Sequence, residues 1–221
     1  MFIPLQMLTS LTFDNPMIFW IAPFAGVLAV VASLILMNRI GKMSPGGPKT
    51  VEVGNAIREG AYAFLKRQYK TIGIITVVLF VLLWIALPYG PTGELNGPFG
   101  IGTAAAFLVG AVASLAAGYI AMDNATKANV RTVAAAKEFG AEKALKTAFY
   151  GGATMGLAVV GLSLLGVSFL FMLYGGFEAM FGTLDSAQSA SLARNAASGI
   201  VGMGFGSSLI ALFAQLGGGI Y

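Results

Sequence analysis

Long apolar stretches alternate along the chain with segments that hold nearly all of its charge. Five stretches of about 17 residues or more carry no Asp, Glu, Lys or Arg: about Met17 to Met37, Thr71 to Leu87, Ile101 to Met122, Ala148 to Leu173 and Ala197 to Tyr221. An apolar helix of about 20 residues crosses the roughly 30 Å hydrocarbon layer, and a charge at its centre costs about 2.5–3.5 kcal/mol on insertion scales. The pattern therefore predicts an all-α, multi-pass transmembrane helical bundle with five membrane helices.

Between the stretches the pattern changes period. From Val53 the apolar or small residues fall at 53, 56, 57, 60, 61, 64 and 65, the one-face spacing of an amphipathic helix. "GNAIREGAYAFLKRQYK" is expected to lie along the inner membrane interface, with Tyr62 and Tyr69 at the boundary, and to lead into the second span. "GKMSPGGPKT" before it is a breaker-rich turn, and "LPYGPTGELNGPFG" after that span reads as an exposed turn. The Ala- and Lys-rich "DNATKANVRTVAAAKEFGAEKALKTAFY" is expected to be mostly helical. In it Asp123, Lys127 and Arg131 share a face, as do Glu138, Glu142 and Lys146. They read first as surface pairs on a solvated helix. A sharper reading has Lys127 and Arg131 lend positive potential to an anion at the membrane mouth.

Charge distribution adds orientation. All thirteen basic residues except Arg194 fall in two segments, 38–70 and 123–147. The positive-inside rule then puts the amino terminus outside and both basic loops in the cytoplasm, so these patches read as topology signals rather than nucleic-acid sites. "MFIPLQMLTSLTFDNP" has no basic residue before its apolar stretch, which argues against a secretory signal. With 57% hydrophobic residues, 10% charged, no Cys and no His, disulfides, thiol nucleophiles and imidazole ligands are excluded. Any metal would be a hard cation held by oxygen.

Small residues recur four apart inside the spans: Gly110, Ser114 and Gly118; Gly152 and Gly156; Gly202 and Gly206. Such stripes let helices approach closely. Ser208 and Gln215 share a face of the fifth span, and a glutamine within the bilayer needs a hydrogen-bond partner. Gln215 therefore either meets another helix or borders a hydrated path.

"IREGAYAFLKRQYK", "ASLAAGYIAMDNATKANVRTVAAA", "GGATMGLAVVGLSLLG" and "GFGSSLIALFAQLGGGIY" occur in this order, and together they resemble the amino-terminal part of the membrane-bound, ion-translocating pyrophosphatases, from about Gly54 to Tyr221. The resemblance implies a homodimer in the lipid bilayer, each subunit with about sixteen transmembrane helices in an inner and an outer ring. It implies Mg2+-dependent pyrophosphate hydrolysis at the cytoplasmic face, coupled to outward pumping of H+ or Na+. A K+ requirement is not readable in this segment. In the family, the block ending "GGGIY" continues into an acidic, lysine-bearing stretch that binds the magnesium–pyrophosphate complex. The resemblance thus implies an amino-terminal portion, four outer-ring helices and the membrane part of the first inner one. No catalytic, cofactor or metal residue is expected within it, and alone it is expected to be inactive. One position departs from the family. Gln215 stands where an arginine of the ion-coupling region is usual; an arginine always carries charge and glutamine only hydrogen-bonds. Gln215 and Ser208 are carried over as ion-coupling-region positions. The competing expectation is a stand-alone five-helix scaffold or accessory protein without hydrolytic activity. A secondary transporter ranks third, since none of the spans shows a clear break.

Overall fold

The computed structural model describes residues 19–86, 99–181 and 185–220. The amino-terminal stretch and the turn "LPYGPTGELNGP" fall outside the described residues, as does Tyr221. What is described is helical: α1 Ile21–Gly41, α2 Pro48–Ala86, α3 Phe99–Phe139, α4 Ala141–Phe171, a π-helical turn Met172–Gly176, α5 Phe177–Phe181 and α6 Ser186–Ile220. Four helices are long and apolar enough to cross a membrane, and the apolar part of α6, Gly199–Gln215, is shorter. The protein is an integral, multi-pass membrane protein.

The apolar spans are parts of longer rods. At 1.5 Å per residue, the 39 residues of α2 and 41 of α3 each run about 60 Å, twice the hydrocarbon thickness. The segments 38–70 and 123–147 are therefore mostly helix, broken at the turn before Pro48 and at Gly140 (φ +84°). At Gly140 a left-handed backbone turns α3 into α4, a conformation that favours glycine. Contrary to the expectation for "GNAIREGAYAFLKRQYK", α2 does not leave α3 to lie along the interface. It runs beside α3 from Gly54, whose Cα lies so close to Val130 that a Cβ would sit 2.3 Å from Val130 Cγ2, up to Ile72 in the cluster with Ala111. The residues expected to face the membrane, Val53 and Ile57, are exposed; the packed positions are Gly54, Leu65 and Ile72.

α3 is the centre of the bundle, with α2, α4 and α6 packed around it and α1 seated on α4. Ala104, Ala106, Phe107 and Ala111 accordingly have no exposed surface. The α3–α6 contact is backbone on backbone. A Cβ at Gly202 would stand 2.1 Å from Thr103 O, at Gly206 2.2 Å from Phe107 O, and at Gly110 2.1 Å from Met203 O. Two of the stripes read from the sequence, Gly110 and Gly202/Gly206, thus meet each other. The Gly152/Gly156 stripe does not pack: a Cβ at either position meets nothing within 4 Å. α4 instead turns Gly151 to Ala128 and Gly161 to Val30 and the carbonyl of Gly26. Both faces of α4 are apolar and small, so polarity could not say which faces protein.

Polar side chains tie the helices where spacing is close. Ser33 Oγ donates to Thr154 O (2.8 Å), Asn124 Nδ2 to Gly151 O (3.0 Å) and Tyr69 Oη to Leu115 O (2.6 Å). At the other end α4 breaks in the π-helical turn, with Tyr174 near φ −91°, ψ 23° and Gly175 at φ +92°. This break, not evident in the sequence, swings the Tyr174 ring between Gly102 and Gly199, and its hydroxyl donates to Gly102 O.

Candidate functional site

At the basic end, Asp123 is the first residue after the apolar stretch of α3. Its carboxylate accepts from Arg58 Nη2 (3.0 Å), Tyr62 Oη (2.7 Å) and Lys127 Nζ (2.5 Å). Arg58 and Tyr62 are one turn apart on α2, Asp123 and Lys127 one turn apart on α3, so two i,i+4 pairs converge across the interface. The Tyr62 ring meets Tyr119 edge-on, and the Arg58 guanidinium lies over Tyr62. Burial alone would raise the Asp123 carboxyl, but the hydrogen bonds from Lys127 and Tyr62 and the charges of Lys127 and Arg58 hold it below the ordinary carboxylate range.

Lys127 and Arg131, the cations proposed for an anion at the mouth, spend donors on the protein itself. Lys127 is bound to Asp123. Arg131 donates through Nε to Met43 O (3.1 Å), through Nη2 to Gly41 O (3.1 Å) and through Nη1 to Lys127 O (3.0 Å). It caps the carboxyl end of α1, whose last carbonyls have no helical partner. The bland reading of these two residues accounts for their contacts.

On α6 the buried positions include Gly202, Met203, Gly206 and Ile210 against α3, and Gly199 under the Tyr174 ring. The exposed ones are Val201, Gly204, Phe205, Ser208, Ala211, Leu212 and Gln215, a continuous stripe along the opposite side. Ser208 lines a groove of about 460 Å³ with Ser114, Ser163 and Ser207, between α3, α4 and α6. Gln215 is exposed and does not line that groove. Among the described residues its side chain makes no hydrogen bond, and the structure brings Ser208 and Gln215 to one helix face but not to one cavity.

A residue the sequence reading passed over fixes the backbone beside Gln215. Gln68 Nε2 donates to Phe213 O (3.1 Å) and Ala214 O (2.8 Å). The signal was present: the spacing 61, 64, 65 continues to 68, so Gln68 is an amide on the side that carries apolar residues, with Ile72 one turn on. A half-buried amide facing apolar neighbours must find acceptors, and α6 supplies them.

Among the described residues no three acidic side chains gather to hold a metal. Asp123 is committed to three donors.

The family model for inorganic H+ pyrophosphatase matches residues 27–221. The chain belongs to that family. It is 41% identical over 200 residues to a K(+)-insensitive pyrophosphate-energized proton pump of Methanosarcina mazei, covering 90% of this chain and 25% of that one. It is 43% identical over 201 residues to a protein of the same name from Caldanaerobacter subterraneus subsp. tengcongensis, covering 89% and 27%. A Clostridium tetani protein provisionally named a K(+)-stimulated pyrophosphate-energized sodium pump is 40% identical over 197 residues, covering 89% and 24%. The chain spans about a quarter of the length of these curated relatives.

Proposed function

We propose that this chain is the amino-terminal part of an ion pump that couples Mg2+-dependent pyrophosphate hydrolysis to outward transport of H+ or Na+, working as a homodimer with the basic end in the cytoplasm. The observation that carries the reading is the open side of α6. One side of it is buried against α3 through bare glycine backbone, and Ser208 and Gln215 remain exposed on the other, Ser208 at the rim of the groove between α3, α4 and α6. Three-quarters of the relatives' length lies outside this match, and the stripe is where such a remainder packs. On this reading Gln215 and Ser208 belong to the ion-coupling region, the described helices hold α6 in place, and the carboxylates that bind magnesium and pyrophosphate come from elsewhere in the polypeptide. The segment alone would not hydrolyse pyrophosphate, since metal-assisted phosphoryl transfer needs several carboxylates gathered around the ions.

The test uses the intact protein in sealed inverted vesicles. Addition of Mg2+ and pyrophosphate should release phosphate and acidify the lumen, or load it with 22Na+. The names of the relatives divide between proton and sodium, so both arms are run. Gln215→Arg places a permanent cation on the stripe and should change ions moved per pyrophosphate more than it changes the KM for magnesium–pyrophosphate. An unchanged ratio removes Gln215 from the coupling region; no pyrophosphate-dependent flux of either ion removes the pump reading.

A further inference from the structure

Where α3 turns into α4, the two helices and the α1–α2 turn enclose a pocket of about 410 Å³. Its wall carries Arg131, Lys143 and Lys146 against a single carboxylate, Glu138, with Ser44 and Tyr150 as neutral hydrogen-bonding groups. The pocket is therefore cationic by two charges. Neither lysine is held firmly elsewhere. Lys146 pairs with Glu142 at 2.6 Å, but both side chains are more than half exposed (63% and 82%), where such a pair contributes little. Lys143 rests its ammonium 3.8 Å from the centre of the Phe139 ring, which leaves its hydrogen-bond donors unused. Arg131 is fixed by its three carbonyl acceptors and retains two further N–H groups. The Tyr150 hydroxyl is half-buried and makes no hydrogen bond among the described residues.

Height relative to the bilayer follows from α4. Its apolar stretch begins at Ala148, which puts Lys146 about 3 Å and Lys143 about 7–8 Å outside it, while the apolar stretch of α3 ends at Met122, which puts Arg131 about 13 Å outside. The two lysines thus stand at the headgroup layer, which adds about 5–8 Å on each side of the hydrocarbon, and Arg131 stands on its solution side. Basic pockets between membrane helices at this depth take anionic headgroups.

We propose that this pocket is a binding site for a phosphate-bearing anion, seated between Lys143, Lys146 and the remaining N–H groups of Arg131, with the Tyr150 hydroxyl donating to it. The phosphate comes from an anionic lipid headgroup or from solution; both present the same charged oxygens. The site rests on the membrane placement of the helices and not on the pump reading.

The intact protein is delipidated in detergent with EDTA, so that no magnesium-dependent phosphate binding is read. Thermal stability is followed while titrating phosphatidylglycerol in mixed micelles, phosphatidylcholine in the same micelles, or inorganic phosphate. Phosphatidylglycerol acting where phosphatidylcholine does not identifies the headgroup; inorganic phosphate acting alone at millimolar concentration identifies the soluble anion. In either case Lys143→Gln/Lys146→Gln should raise the half-maximal concentration about thirtyfold, at about five- to sixfold per lysine, and Lys143→Arg/Lys146→Arg should restore it. An equal melting temperature of the variants without ligand shows that the fold is kept. No stabilisation by either anion, or stabilisation that the glutamine variant retains at the same concentration, overturns the site.

Discussion

Replacing Gly206 with alanine tests the claim that α3 and α6 meet backbone to backbone. The new Cβ would lie 2.2 Å from Phe107 O, where contacts closer than 3.0 Å essentially never occur. A carbonyl in a helix cannot rotate away, so α6 must move by at least about 0.8 Å, the gap between those two distances. The move also loosens the contacts of Gly202 with Thr103 O and of Gly110 with Met203 O, because the same two helices make all three. Overpacking costs about 1–3 kcal/mol, and each disturbed Cα–H···O contact adds about 0.5–1 kcal/mol. Alanine recovers about 1 kcal/mol of helix propensity. The net expectation is a loss of about 1–4 kcal/mol.

Gly156→Ala supplies the internal control, because a Cβ there meets nothing within 4 Å and only the propensity term remains. Thermal melts of the two purified intact variants in the same detergent decide the matter: Gly206→Ala should melt several degrees below the parent and Gly156→Ala at or slightly above it. Equal melting of the two variants, or a greater loss at Gly156, would refute the assignment of which glycines carry the packing. Gly202→Ala should behave as Gly206→Ala does, since its Cβ would lie 2.1 Å from Thr103 O.

Asp123→Asn should cost about 1–3 kcal/mol, the range for a broken ion pair reduced because Arg58 and Lys127 are 42% and 33% exposed. The Asp123 pKa is lowered in the folded protein, so its contribution is present above the unfolded value and fades as pH falls through the folded one. Melting of the parent should therefore drop more steeply on acidification than melting of the variant, and parallel profiles would show that the carboxylate is not doing this. Arg131→Gln should speed hydrogen exchange in the backbone following α1, around 41–44, since two carbonyls there lose a charged donor; unchanged exchange rejects the cap. Gln68→Leu, close in volume, should speed exchange over the last turns of α6 while leaving that of α3 unchanged, and equal effects on both helices would mean a general loss of packing.

The membrane class, the number of apolar stretches and the helical character of the basic segments could be read from the residues, because charge exclusion and 3.6-residue spacing act locally. Which side of each helix meets protein was much less legible. In water a buried side is apolar and an exposed one polar; within lipid both are apolar, so α4 offers Gly152/Gly156 and Gly151/Gly161 as equivalent stripes and only the tertiary contacts choose the second. The upright course of α2 had the same origin: Val53 and Ile57 carry the expected spacing, yet Gly54 decides the contact because a missing Cβ admits Val130. Of the candidate site, the residues Ser208 and Gln215 and their shared face followed from spacing, whereas Gln68 needed the fold to bring positions 145 residues apart together.

The two ends of this arrangement are mechanically joined. α2 is held to α3 by Arg58 and Tyr62, which both donate to Asp123, and, about one and a half turns beyond Tyr62, reaches α6 through Gln68. The carbonyls Gln68 grips belong to Phe213 and Ala214, immediately before Gln215. Earlier on the same side, α6 is wedged against α3 by glycine contacts too close to slide without breaking. Gln215 thus follows a stretch of backbone held by both α2 and α3, and projects toward a face that this part of the chain leaves open. A residue set to interact with a further helix benefits from that fixity, because a displacement of about 1 Å changes a hydrogen bond from made to unmade. Rigid support of Gln215 and an exposed stripe leading to it are found on the same 15 residues, Val201 to Gln215, which suits α6 to the place between scaffold and pathway that the proposed function gives it.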